Sequence, residues 1–80
     1  MDYAAIDREM SSYLVTSRKN GTRFYLTEEG FATDMLSRAV RVHWQDWAEQ
    51  MATQANAEKA WRGFRWTVVS VAEVKGRLDQ

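Results

Sequence analysis

Aromatic and cationic side chains alternate in one short stretch, residues 59–71, which reads KAWRGFRWTVVSV. Around its glycine lie Trp61, Arg62, Arg65 and Trp66. Rings that stack on bases, beside guanidinium groups that contact phosphates, are what a single-stranded nucleic-acid surface requires. The same residue types anchor protein–protein interfaces, and they also occur at the buried edge of a sheet. The stretch therefore indicates binding and leaves the class of partner open.

The remaining residues do not show the spacing of a catalytic or metal site. His43 is the only histidine and stands near Asp46 and Glu49. A metal site needs several converging ligands, and a general base needs a partner that is held in place. There is no cysteine, no Gly-x-Ser-x-Gly elbow and no glycine loop for phosphate. We expect no catalytic residue, no metal and no cofactor, and we expect His43 to lie at a helix start or on the surface.

The charge balance favours protein over nucleic acid as the partner. The 80 residues carry 11 basic and 11 acidic side chains, a formal net charge of zero. A dedicated nucleic-acid-binding protein is usually clearly basic, because its affinity comes largely from neutralising phosphates. Eight of the basic residues are arginine, whose planar fork suits interfaces. The four tryptophans all lie within residues 44–66.

A second cationic group accompanies a predicted hairpin. It consists of Arg18, Lys19 and Arg23, with Arg38 and Arg41 further along the chain. Such charges are most often a solvated face. The alternative is a basic strip that contacts phosphates or an acidic groove of a protein.

The hydrophobic pattern predicts the elements that carry these groups. Asn20-Gly21 between two β-branched and aromatic runs predicts strands at 12–19 and 22–28 joined by a type I′ turn. Residues 31–33 are predicted to be a short extended piece, and 38–43 to be a third strand or the start of the next helix. A helix is predicted within residues 44–61, and a long central strand over 64–74. The helix has one apolar stripe at helical spacing, which we expect to face the core: Trp44, Trp47, Ala48, Met51, Ala52 and Ala55.

These elements predict a single α+β domain over residues 1–80. Its mostly antiparallel sheet is expected to have four strands, within a range of three to five, and one helix is expected to pack on one face. The other face then has no helix to cover it and is left for solvent, a partner or a second copy. Residues 1–10 are predicted to be a short helix or a frayed terminus, and 76–80 a loose tail.

The chain is expected to be cytoplasmic and either monomeric or homodimeric. Its apolar runs are shorter than a membrane span, and MDYAAIDREM is more acidic and polar than a secretory signal. The absence of cysteine suits a reducing compartment.

The order of elements resembles that of small phage and prophage accessory proteins. The resemblance is carried by a hairpin, an LS-x-A-x-R element, an alanine early in the helix and a valine-rich strand. The matching residues here are Leu36, Ser37, Ala39, Arg41, Ala48, Val68, Val69 and Val71. Several phage-encoded anti-CRISPR proteins are similar in size and build. The resemblance implies an inhibitor that binds a host surveillance complex and stops it from engaging target DNA.

Taken together, these observations predict a non-catalytic inhibitor that binds a host protein complex, such as CRISPR effector subunits. The predicted protein-binding residues are Trp61, Arg62, Arg65 and Trp66, with Arg18, Lys19 and Arg23 as a second group. A small phage regulator that binds nucleic acid directly and a homodimeric assembly subunit are the alternatives.

Overall fold

The computed structural model describes residues 11–78 and shows an α+β fold in one small domain. The four strands form one antiparallel sheet in the order β3-β2-β1-β4. Two 3₁₀ turns, Leu36–Arg38 and Lys59–Trp61, separate the other elements. In chain order these are β1 (Tyr13–Lys19), β2 (Thr22–Leu26), β3 (Ala32–Thr33), α1 (Gln45–Ala57), β4 (Thr67–Ser70) and α2 (Val71–Leu78). The fold class and the single small domain are as predicted, whereas the expectation for residues 1–10 lies outside the described residues.

The hairpin between β1 and β2 is confirmed. Asn20 and Gly21 both have positive φ, at 53° and 81°, as a type I′ turn requires. Lys19 pairs with Thr22 across the turn. The second strand ends two residues earlier than predicted because Thr27 starts a new turn, in which its N–H donates to the Phe31 carbonyl at 2.8 Å.

The predicted third strand at 38–43 is wrong, and the short extended piece before it is the true third strand, β3. Residues 40–42 instead run beside the ends of β1 and β2, beyond Thr16 and Tyr25, where the pairing of the two strands stops. Val40 donates its N–H to the Leu26 carbonyl at 3.0 Å, and Val42 exchanges backbone hydrogen bonds of 2.7 and 2.9 Å with Tyr13. The alternating pattern was thus a sign of extended backbone that makes one isolated bridge.

Helix α1 packs on one face of the sheet through alanines. Ala48, Ala52 and Ala55 are buried against a core that includes Val15 and Trp66. The expectation that Trp44 and Trp47 are core is wrong, because they are 66% and 64% exposed. Trp44 precedes the helix with extended backbone, so helical spacing does not set its direction. Trp47 lies about 100° around the helix from the alanine face, at 100° per residue.

The predicted long central strand over 64–74 is wrong in both length and position. β4 has only four residues and lies at an edge of the sheet, and the chain then enters α2 directly. Ser70 ends the strand because its Oγ accepts a hydrogen bond of 3.1 Å from Glu73 N–H, as a helix N-cap does. Residues 76–78, predicted to be a loose tail, belong to this helix.

Helix α2 also changes the expectation that one sheet face is uncovered. Val71 and Val74 are buried on that face against Leu14 and Tyr25. The valines at 71 and 74 fit a helix as well as a strand, since a spacing of three residues returns to the same helical face. Helix α2 covers the end of the face that holds Leu14, and the hairpin end carries arginines.

Candidate partner-binding surfaces

The aromatic residues of the opening stretch pack on one another rather than forming a platform for bases. The Phe64 and Trp66 rings stack with centroids 5.4 Å apart and planes 6° apart. Trp61 meets both edge-on, at 5.4 and 5.3 Å, and Phe24 meets Phe64 at 5.6 Å. We name these four residues the aromatic corner. Their ring faces are largely used within the protein.

Trp66 is 2% exposed and so belongs to the core. Asn56 of α1 fixes its backbone: the Trp66 N–H donates to Asn56 Oδ1 at 2.7 Å, and Asn56 Nδ2 donates to the Trp66 carbonyl at 2.9 Å. A partner can therefore contact the Trp66 side chain only if the residues of the aromatic corner move apart. Trp61 is half-buried and retains one accessible side.

The predicted cationic residues regroup in the structure. Arg18, Arg23 and Arg65 line one depression of 290 Å³ on the sheet face opposite α1. Lys19 points to the other face, where its Nζ lies 4.8 Å from the centroid of the Phe64 ring. Arg62 is exposed and lies outside this depression. The sequence had assigned Arg65 to one group and the other two arginines to another.

The strand register explains why these three arginines meet. Arg18 and Arg23 are direct cross-strand partners on β1 and β2. On the other side of β1, Thr16 pairs with Thr67. The ladder ends at that pair, and Arg65, two residues before Thr67, is held beside β1 by the hydrogen bond from its N–H to Ser17 Oγ. The three side chains, two on neighbouring strands and one on the segment just before β4, thus line one depression, and we name them the arginine row.

Two exposed tryptophans form the most prominent apolar feature that the sequence did not predict. The Trp44 and Trp47 rings lie 6.4 Å apart at the start of α1, and His43 meets Trp44 edge-on at 6.1 Å. Met51 is half-buried one helical turn after Trp47, and residues four apart are neighbours on a helix surface. An apolar strip therefore runs along one side of α1.

The strip leads into a groove of 520 Å³ between α1 and the turn that precedes β3. Phe31, which is 68% exposed, lies on the opposite wall from Met51. The groove is lined by Leu26, Gly30, Phe31, Met51, Gln54, Ala55, Glu58 and Trp61. We name Trp44, Trp47, Met51, Phe31 and Trp61 the tryptophan surface.

The border of the tryptophan surface is mainly acidic. Glu58 lies in the groove itself. Glu28 and Glu29 line a neighbouring depression that shares Phe31, together with one cation, Arg38. An apolar surface with such a border complements a partner surface that is apolar and basic.

Within the described part of the chain, Ser12 and His43 form a pair that resembles a serine–histidine arrangement, but its hydroxyl cannot reach a substrate. Ser12 Oγ lies 3.4 Å from His43 Nδ1, a long hydrogen bond. Ser12 is 1% exposed, so its hydroxyl is inaccessible. His43 itself is at the surface just before α1. Within residues 11–78 there is also no group of three or more potential metal ligands.

Comparison with known protein families, curated proteins and solved structures gave no match. Of the helices in the described part of the chain, none has the length and apolar character to cross a membrane. A functional assignment therefore depends on the two surfaces, which lie on opposite sides of the sheet.

Proposed function

We propose that the protein is a non-catalytic inhibitor that binds a basic, nucleic-acid-binding surface of a host protein complex and blocks it. The proposal follows the resemblance to small anti-CRISPR proteins, which act by stoichiometric binding, commonly to a surveillance complex, so that target DNA cannot be engaged. The proposal is carried by the pair of exposed tryptophans, Trp44 and Trp47.

Two adjacent indoles in water give a large driving force for association. A tryptophan side chain presents roughly 150–250 Å², and about two-thirds of each of these two is exposed. Covering both would contribute about 6 kcal/mol at about 25 cal/mol per Å² of apolar surface. This gross gain offsets part of the cost of association, and tryptophan is among the residues most enriched in interface hot spots.

The acidic border favours a particular kind of partner. Glu28, Glu29 and Glu58 would oppose a surface rich in lysine and arginine, and they would repel a nucleic acid. Proteins present basic surfaces where they bind nucleic acid. A partner bound there through the tryptophan surface would be unable to engage its target DNA.

A plaque assay tests the proposal. The protein is expressed in a panel of bacterial strains, each with one active CRISPR system directed against the infecting phage. We expect wild type to restore plaques in at least one strain by several orders of magnitude. Trp44→Ala/Trp47→Ala should lose this effect, because both side chains are exposed and their removal leaves the core intact.

The matched control is Gln50→Ala, an exposed position on the side of α1 away from the alanine face. It should inhibit as wild type does. With the purified effector of the responsive strain, wild type should prevent a gel shift of target DNA. The proposal is wrong if no strain responds, or if the tryptophan double variant inhibits as well as Gln50→Ala.

Self-association of the tryptophan surface would make a homodimer, and light scattering distinguishes it. A chain of 9.3 kDa would then show twice that mass, and the double tryptophan variant would return to the mass of one chain. A free monomer leaves the surface available to a different protein.

A further inference from the structure

We propose that the arginine row is a second binding site, which takes the phosphate backbone of a nucleic acid without reading its sequence. It lies on the opposite side of the sheet from α1. It does not depend on the function proposed above.

The row breaks a rule of sheet stability, and that makes it informative. Arg18 and Arg23 stand directly opposite each other, and like charges in this position are destabilising. Because Lys19 and Thr22 close the two-residue turn, Arg18 and Arg23 occupy the pair without backbone hydrogen bonds, where side chains are closest. Arg65 adds a third positive charge to the same depression. Local rules of this kind are most often broken at functional sites.

Among residues 11–78, no acidic side chain lines this depression to balance these charges. Its described lining contains the three arginines, the hydroxyl residues Thr16, Ser17 and Thr67, and one valine. An anion bound there would relieve the mutual repulsion of the arginines. Guanidinium forks match phosphate oxygens with two parallel hydrogen bonds, and the exposed hydroxyl of Thr67 can donate a further one.

Arg65 is held in place before any ligand arrives. Its backbone N–H donates to Ser17 Oγ at 2.8 Å, and Ser17 is 3% exposed. The next residue, Trp66, is fixed by two hydrogen bonds from Asn56. The backbone that carries the third arginine is thus tied to both β1 and α1, which lowers the entropic cost of binding.

The surroundings of the row favour phosphate over an acidic protein. Protein interfaces have an apolar centre with aromatic anchors, yet in this depression the only apolar lining residue among those described is Val69, which is half-buried. Contacts to a phosphate backbone need no such centre. The described lining residues also include no aromatic ring on which bases could stack, so we expect duplex DNA to bind regardless of sequence.

Fluorescence anisotropy with labelled 20-base-pair DNA duplexes of two unrelated sequences tests the proposal. Three phosphate contacts give a slope of about −2.7 in a plot of log K against log salt, so affinity should fall about 40-fold between 50 and 200 mM. Arg18→Gln, Arg23→Gln or Arg65→Gln should each reduce that fall to about 12-fold and weaken binding at 50 mM. Both duplexes should behave alike.

Arg62→Gln is the control, because it removes the same charge from an exposed arginine outside the row. It should keep most of the affinity, as should Trp44→Ala/Trp47→Ala. Circular dichroism confirms that each variant is folded. The proposal would be overturned if wild type did not bind DNA at 50 mM salt, or if Arg62→Gln lost as much DNA affinity as the row variants. Tighter binding of labelled polyglutamate than of DNA, lost in the row variants, would also overturn it in favour of an acidic protein.

Discussion

Asn56 connects α1 to the start of β4, and its replacement should be among the most damaging of the exposed positions. Its side chain makes both a donor and an acceptor hydrogen bond with the Trp66 backbone, at 2.9 and 2.7 Å. Trp66 is almost completely buried, and it stacks within the aromatic corner. We therefore expect Asn56→Ala to destabilise the fold substantially.

The size of the effect follows from the two hydrogen bonds. Each contributes about 1 kcal/mol net, and a backbone group left without a partner in a buried position costs about 1–3 kcal/mol. Alanine is the better helix former by up to about 0.7 kcal/mol, which acts in the opposite direction. With one of the two freed backbone groups hydrated and the other left unpaired, the balance is a loss of about 2 kcal/mol. A chain of 80 residues has a free energy of unfolding of about 4–12 kcal/mol, so the loss is a large share.

Urea unfolding followed by tryptophan fluorescence measures this loss. The midpoint should fall with an unchanged slope, and the melting temperature should drop by about 8–16 °C. Asn56→Asp should lose at least about 1 kcal/mol, because one carboxylate oxygen would replace Nδ2 and face the Trp66 carbonyl. Its carboxylate can still accept from the Trp66 N–H, but it cannot donate to the Trp66 carbonyl.

Gln54→Ala is the matched control, since Gln54 is exposed on the same helix. A surface substitution of this kind changes stability by less than about 0.5 kcal/mol. If Asn56→Ala and Gln54→Ala gave the same free energy of unfolding, the anchoring role of Asn56 would be refuted.

Two further predictions concern stability. Arg18→Gln should raise the free energy of unfolding by about 0.5 kcal/mol, because it removes the repulsion between Arg18 and the directly opposed Arg23. Urea unfolding measures this gain, with Arg62→Gln as the control. A lower free energy of unfolding for Arg18→Gln would contradict the prediction. Ser70→Ala should lower the free energy of unfolding by about 1 kcal/mol, because the Glu73 N–H loses its cap. Ser70→Thr, which keeps a hydroxyl, should retain most of that stability in the same assay, and equal losses in the two variants would contradict the capping role.

Local signals predicted the hairpin well. Asn20 and Gly21 determine the turn by their own backbone preferences, and the alternation on both sides sets the register. The prediction of a third strand at 38–43 was wrong because the bridge at Val42 depends on where the pairing of β1 and β2 stops, at Thr16 and Tyr25. The point at which the pairing of β1 and β2 stops is a property of the whole sheet, and it cannot be read from residues 38–43 alone.

The C-terminal helix had a signal that the sequence interpretation passed over. Ser70 and Glu73 have the spacing of a helix capping box. Val71 and Val74, which follow Ser70 and Glu73 in turn, share one helical face. The length of the valine-rich run favoured a strand instead. Where both periodicities fit, the cap distinguishes them.

The prediction that Trp44 and Trp47 face the core was wrong because of the size of their side chains. The predicted stripe gave weight to the large apolar residues, but the close approach of α1 to the sheet admits alanine and excludes indoles. Trp44 and Trp47 consequently lie outside the core, while Trp66, predicted together with Trp61 as a protein-binding residue, fills it. Local pattern could not predict the arginine row. The contact that brings Arg65 beside β1 is its hydrogen bond to Ser17, and these two residues are 48 positions apart in the sequence.

The single sheet acts as a partition between two environments. Helix α1 with its tryptophans lies on one side, and the arginine row lies on the other. A protein seated on the first side leaves the second side open, so neither ligand would displace the other. The two sites would then support a ternary complex, in which a rigid connector about two layers thick holds a protein and a polyanion at a fixed separation. Each weak contact would raise the effective concentration of the other.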